Sequence, residues 1–307
     1  MQFTRTVRAT WLAAVAARAA LDHEQAQADA ADSAAELGRR MVQAGNWSRA
    51  RLLREQINQA QQQAAVLQAQ AEVDRSTEAL LRMMAIWRGD EVMRLGERIP
   101  RAVAALPERP QAPADPESAT LRANTELQTE RALTGRRARA LGAGSRQRWD
   151  SALNAALRTQ SADTLPDTAL QLPDPQPQRE HGLQATLSQE ARLLRSAAAL
   201  RSQAREAWRD AVHRHALAKH AQNVLLPLQS ALEQETLLRY NGMLQSTWDL
   251  IEASRARMRA AAAASAARHA FWQAQLNWDT LLAGGEPQAL AAGTASPSPA
   301  VGPAAAH

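Results

Sequence analysis

Cysteine is absent from this chain of 307 residues, which excludes disulfide bonds, thiolate metal sites and a cysteine nucleophile. Aromatic residues make up only 4% of the sequence, and alanine dominates its apolar residues. No run of about 18 apolar residues occurs, so no transmembrane helix is predicted. Because alanine packs helices closely but buries little area, this composition favours long, thin helical assemblies over wide cores.

Lysine is nearly absent too, since Lys219 is the only one and arginine supplies almost all of the positive charge. The net charge is +5, but the basic residues are scattered among acidic ones. A nucleic-acid surface concentrates its charge, so no nucleic-acid partner is predicted. No phosphate-binding glycine loop, Ser/His/Asp order or pair of catalytic carboxylates stands out. The sequence therefore predicts no enzyme and no cofactor.

Three histidines lie close together in the sequence, at His213, His215 and His220. On a helix the first and last share a face but are two turns, or about 10 Å, apart. Metal ligands on one helix usually lie four residues apart. Solvent-facing histidines are therefore predicted, and no metal site.

Residues 1–99 predict a long helical hairpin. Good helix formers fill the stretch from about Thr4 to Ala44. Gly45 then supplies a left-handed position that ends the helix, and Ser48 can cap a second helix that runs to about Trp87. Apolar residues of this second helix recur at the spacing of a coiled-coil seam. They are Ile57, Ala60, Ala64, Leu67 and Ala71.

Residues 100–182 differ from what precedes them, because five prolines fall between Pro100 and Pro116. Proline excludes a helix interior there, so an extended linker is predicted. A helix of moderate length follows, from about Ser118 to Leu141. Only Thr168–Leu172 then alternates like a strand, which allows at most a vestigial β-hairpin.

Residues 183–285 predict a second long hairpin with its turn at Gly242. Pro227 lies within its first helix and should kink it, at a cost of about 3 kcal/mol. Residues 286–307 are rich in Ala, Pro, Gly and Ser and are predicted to be disordered. A heptad seam precedes the turn. Its members are Leu217, Ala221, Val224, Leu228, Ala231 and Leu238, with Glu235 as the one exception to the apolar spacing.

The two hairpins form an internal repeat in which an offset of 197 aligns Gly45 with Gly242. Their arms have similar lengths, which favours side-by-side packing with both turns at one end. The predicted fold class is therefore all-α, with two long antiparallel coiled-coil helical hairpins.

The segments around both turns resemble the TolC family of outer-membrane efflux channels. One runs from Met41 to Gln56 and contains Ala-Gly-Asn-Trp-Ser. The other runs from Arg239 to Ala253, where a Tyr-x-Gly turn precedes Asp-Leu-x-Glu-Ala. Val224–Leu228 and Phe271–Leu276 are similar to helical segments of the same family.

The resemblance implies a homotrimer whose long helices form a periplasmic tunnel at the cell outer membrane. Such a tunnel docks a periplasmic adaptor protein, which joins it to an inner-membrane pump, and metals or drugs pass through it passively. The turns are the implied docking site. Its residues are Gly45, Asn46, Trp47, Ser48, Tyr240, Gly242, Met243, Leu244 and Gln245.

Two points about the implied site stay open. Trp47, Met243 and Leu244 are expected to be exposed at the turns, where they either dock the adaptor or staple the turn locally. Asp249 and Glu252 share one helical face, and in the family acids at these places line the tunnel aperture as a ring. Alternatively, these two acids only complement the helix dipole on a solvated face.

The sequence departs from the family at its beginning. Arg5 and Arg8 precede a short apolar run like that of a signal peptide, but Arg18 interrupts it, and a continuous helix is preferred. The family segment that precedes the first hairpin is not recognisable. An N-terminally truncated member is therefore expected, or one that has lost its membrane strands. The main alternative is a soluble coiled-coil scaffold or interaction protein, and a weaker one is the adaptor itself.

Overall fold

The computed structural model describes residues 2–86, 98–110, 115–140 and 177–285. All regular secondary structure in these ranges is helical, which confirms the all-α fold class. The predicted strand at Thr168–Leu172 and the tail at 286–307 lie outside the described residues. The helices are α1 (Gln2–Gln43), α2 (Arg49–Met83), α3 (Pro116–Ala123), α4 (Thr125–Ala140), α5 (Pro177–His220), a π-helical turn (Ala221–Leu225), α6 (Leu226–Asn241) and α7 (Thr247–Leu282).

Contacts divide the chain into two compact units, each made of two stretches. Unit 1 comprises Met1–Ala112 with Glu206–Leu276, and unit 2 comprises Pro113–Arg205 with Asn277–His307. The division of the sequence at 100, 183 and 286 stays a prediction, although α5 begins at Pro177, before the expected boundary.

Unit 1 contains the first hairpin, in which α1 and α2 pack along their length. Alanines of α1 such as Ala14, Ala31 and Ala35 are buried, so the two backbones approach closely. A small cluster with larger side chains forms at the far end from the turn. Its buried members are Leu12, Ala14, Val15, Leu80, Ile99 and Val103.

The proline-rich segment at 98–110 lies on the helices of unit 1 as a strap with no regular structure over most of its length. Trp272 donates its indole N–H to the carbonyl oxygen of Ala104 at 2.9 Å. His215 Nε2 lies 2.7 Å from the carbonyl oxygen of Pro107, and its ring meets Phe271 edge to face. His215 is therefore buried, and the expectation that it faces solvent is wrong.

The second hairpin accommodates Pro227 by a change of helix type. The five-residue π-helical turn precedes α6, and Pro227 falls in the first turn of that helix. A missing N–H costs least at such a position. Arg257 of α7 pairs with Glu233 of α6, which joins the two arms across the hairpin.

Unit 2 contains α3, α4 and the described stretches of the chain at 177–205 and 277–285. Asp115 caps α3 by accepting from the N–H of Ser118 at 3.2 Å, so the predicted helix over 118–141 starts slightly earlier. It is also split at Asn124 into α3 and α4. Leu121, Leu127 and Leu193 are among the buried apolar residues of unit 2.

Among the described residues, no helix combines the length and the apolarity that crossing a membrane requires.

Candidate interaction site at the two helical turns

The first turn ends α1 with a Schellman motif, in which two backbone N–H groups reach back to carbonyls of the last helical turn. Gly45 donates to Val42 at 3.0 Å, and Asn46 donates to Met41 at 2.9 Å. Gly45 has φ +75°, as predicted for a left-handed position that glycine adopts without strain. Ser48 then caps α2 by accepting from the N–H of Arg51.

The second turn has the same hydrogen bonds, but they are displaced by one residue. Met243 donates to Tyr240 at 2.9 Å, and Leu244 donates to Arg239 at 2.8 Å. The left-handed residue is therefore Met243, with φ +58°, whereas Gly242 has φ −81°. The structure thus pairs Gly45 with Met243, and the alignment of Gly45 with Gly242 is wrong by one residue at the turns.

Met243→Gly should stabilise the chain by about 0.5–1 kcal/mol, because glycine removes the steric cost of a left-handed φ. Little packing is lost, since Met243 is 94% exposed. Urea unfolding of the purified chain measures the change. Met243→Ala is the matched control, because it removes the same side chain and keeps the unfavourable φ. Equal stability of the two variants would contradict the prediction.

A cation–π cluster joins the two turns. The rings of Trp47 and Trp248 meet edge to face with centroids 6.2 Å apart. The guanidinium of Arg51 lies 4.8 Å from both ring centroids. Trp47 is only 9% exposed, so the expectation of an exposed Trp47 is wrong. Its ring packs near Gly38, where an added Cβ would lie 3.3 Å from Trp47 Cζ3.

A buried ion pair lies behind this cluster, between α2 and α7. Glu55 is 1% exposed and accepts from Arg255, whose guanidinium also binds Glu252 at 2.9 Å. Burial alone would lower the pKa of Arg255, but its bonds to Glu55 and Glu252 outweigh that effect and raise the pKa. Arg255 therefore keeps its positive charge, and its bond to Glu55 ties the first hairpin to the second.

Both acids of the predicted aperture ring have bonds within the chain. Asp249 accepts from the N–H and the hydroxyl of Ser246 at 3.0 and 2.8 Å, while the N–H of Asp249 donates to that hydroxyl at 3.3 Å. This is a capping box at the start of α7. Bonds from Ser246, with a smaller contribution from the charge of Arg51, lower the pKa of Asp249. The aperture role of Asp249 and Glu252 stays a prediction.

The surface of the paired turns is apolar at its most exposed point. Leu244 is 79% exposed beside Met243, and Tyr240 is partly exposed. Asn46, Ser48 and Gly242 are exposed polar or small positions of the same turns. The arrangement thus presents two exposed apolar side chains, Met243 and Leu244, next to a base of aromatic and charged contacts.

The predicted heptad seams also face outward in unit 1. Ile57 and Leu67 are 57% and 72% exposed, and Leu217, Leu228 and Leu238 are exposed as well. Contacts between α1 and α2 instead use other faces of these helices, such as the one that carries Ser76 and Leu80. The seams were identified correctly as apolar stripes, but their partner is not the other arm of the same hairpin.

A cleft of about 640 Å³ lies between α1 and α7, lined mainly by alanines with His23, Glu72 and His269 at its sides. Burial lowers the pKa of His269, which favours its neutral form. No group of three metal-ligating side chains occurs within the described ranges. The cleft is therefore lined mainly by small apolar side chains, and the described residues around it do not form a metal site.

The helical architecture is similar to that of several solved membrane proteins. CusC, studied for transmembrane channel formation, has a TM-score of 0.64 at 10% identity over 92% of this chain and 68% of its own. The CmeC outer membrane channel of Campylobacter jejuni has a TM-score of 0.59 at 13% identity, covering 94% and 64%. The outer membrane protein VceC of Vibrio cholerae has 0.60 at 14%, covering 92% and 70%.

Neither a protein-family model nor a curated protein sequence matches the chain. At the low identities of the solved structures, their likeness establishes the fold. At the level of the fold, this likeness confirms the resemblance to the TolC family that the two turns suggested. The chain spans about two thirds of the length of these relatives.

Proposed function

We propose that the chain is the outer-membrane channel component of a tripartite efflux system. Three copies would surround a periplasmic helical tunnel through which metals or drugs pass passively. The paired turns would contact an adaptor protein and, through it, an inner-membrane pump. Asp249 and Glu252 would lie near the aperture.

The observation that carries this proposal is the joining of the two turns into one apolar tip. The cation–π cluster and the Glu55–Arg255 pair hold the two turns together. Met243 and Leu244 project from the second turn. Exposed apolar side chains on a rigid base suit docking against a helical hairpin. The fold shared with outer-membrane channels supports the same assignment.

Cross-linking in intact cells tests the docking site, because the chain has no cysteine of its own. A thiol-directed photo-cross-linker attached to Met243→Cys should capture a periplasmic adaptor, identified by mass spectrometry. Met243 is preferred to Ser48, because Ser48 caps α2 and its loss costs about 0.5–2 kcal/mol.

Gln70→Cys serves as the control, since Gln70 is exposed on α2 but far along the helix from the turn. It should give no adaptor adduct. Recovery of the chain in the cytosol, with no adduct at Met243→Cys, would contradict the proposal. It would favour the alternative of a soluble coiled-coil scaffold.

A further inference from the structure

The cleft between α1 and α7 has walls formed mainly by methyl groups. One face of α1 supplies Ala13, Ala17 and Ala20, which recur at steps of four and three and so lie in one row along the helix. Ala262 and Ala266 line the cleft from α7 with the same spacing. Alanine side chains are too short to close the space between the two helices, and the cleft has a volume of about 640 Å³. An apolar group larger than a methyl therefore fits between the two rows.

Both carboxylates of the cleft lie toward the end that is nearer the turns. Glu24 is the last residue of α1 to line the cleft, and it lies about one helical turn beyond Ala20. Gln59 of α2 donates to Asp32 of α1 at 2.8 Å, which fixes the register of these antiparallel helices. Ala20 and Glu72 are each about a dozen residues farther from the turns than that bond, so they share one level. The upper half of the cleft is left to the alanines.

The charge of the cleft is negative. Glu24 is partly buried, and its side chain has no hydrogen bond or ion pair within the described part of the chain. Glu72 pairs with Arg75 at the surface, so its charge is partly offset. Burial favours the neutral form of His269, and the described residues that line the cleft include no arginine or lysine. A partly buried carboxylate without a partner favours a cationic group next to it.

We infer that the cleft binds a primary alkylammonium ion, with its charged head at Glu24 and Glu72 and its alkyl chain between the two rows of alanines. From Ala20 to Ala13 the row on α1 runs roughly 10 Å, which suits a chain of about eight carbons. Each methylene group that leaves water for this space adds to the affinity. The site lies roughly 30 Å from the first turn, measured along α1 from Glu24, and it does not depend on the docking surface.

Calorimetric titration of the purified full chain tests the preference for a cation. The titration is done at about pH 8, above the range in which histidine ordinarily titrates. n-Octylammonium should bind saturably, whereas octan-1-ol should bind about tenfold more weakly and octanoate should not bind. n-Butylammonium should also bind at least about tenfold more weakly than n-octylammonium, because it lacks half of the alkyl chain. Octanoate binding as tightly as n-octylammonium would overturn the inference.

Two substitutions test whether the ligand lies in the cleft. Ala20→Leu should abolish binding of n-octylammonium, because the larger side chain fills the space between the helices. Ala20 is exposed, so the variant should keep its helical circular dichroism. Glu24→Gln should weaken binding of n-octylammonium about tenfold and leave that of octan-1-ol unchanged.

Ala26→Leu is the matched control for the filled cleft. Ala26 is an exposed alanine of α1 that lies about half a turn around the helix from Ala17, away from the cleft. This variant should bind n-octylammonium as tightly as the unchanged chain. Unchanged affinity for n-octylammonium in Ala20→Leu or in Glu24→Gln would overturn the inference and leave the proposed function standing.

Discussion

Replacing Arg255 with methionine should lower the free energy of unfolding by about 3–5 kcal/mol, because it leaves a buried carboxylate without its partner. Glu55 is almost inaccessible to water, and its described ion-pair partner is the guanidinium of Arg255. Chemical denaturation of the purified chain, monitored by helical circular dichroism, measures the loss.

A second substitution separates lost charge pairing from lost packing. Glu55→Met combined with Arg255→Met should recover most of the stability, since buried ion pairs are often replaced by apolar side chains at little cost. Arg75→Met is the control for an exposed pair, because Arg75 binds Glu72 at the surface and should cost less than about 1 kcal/mol. A cost for Arg255→Met as small as that of the control would show that Glu55 is solvated.

Gly284→Ala should destabilise unit 2 by about 2–5 kcal/mol, combining a left-handed φ with steric overlap. Gly284 has φ +79°, and an added Cβ would overlap the carbonyl group of Ala123 and lie 3.1 Å from the N atom of Asn124. The end of α3 would have to move away from the end of α7. Hydrogen exchange of the amides around Ala123 should therefore accelerate along with the global loss.

Gly45→Ala is the matched control for this prediction. Gly45 has nearly the same φ of +75°, but nothing lies within 4 Å of an added Cβ. Gly45→Ala should lower the free energy of unfolding by only about 1 kcal/mol, which is the cost of the left-handed φ without steric overlap. If the two variants lose the same stability, the close approach of Ala123 contributes nothing.

Local signals in the sequence predicted the helices and the first turn well. Gly45 and Ser48 have the conformations that helix-ending glycine and helix-capping serine favour. The second turn was placed one residue early, because glycine suggested the left-handed position and the hydrogen bonds assign it to Met243. Nothing in the residues around Gly242 indicates that a methionine would take the unfavourable φ.

Contacts between distant residues could not be predicted. Glu55 and Arg255 are 200 residues apart in sequence, and His215 meets a carbonyl 108 residues away. Trp47 looked like an exposed docking residue, because its burial depends on Trp248 and Arg51 in the three-dimensional structure. The heptad pattern correctly marked Ile57 and Leu67 as one stripe, but a repeat gives the spacing of a seam and not its partner.

The sharing of Arg51 between Trp47 and Trp248 has a mechanical consequence. A load applied to the side chain of Met243 passes into α7 and, through Arg51 and Arg255, directly into α2. A force that bends one hairpin at the tip is therefore transmitted to the other hairpin through these contacts. The connection at the tip depends on a few aromatic and charged contacts, so a change at Arg51 would leave the bond between Arg255 and Glu55 as the remaining link to α2.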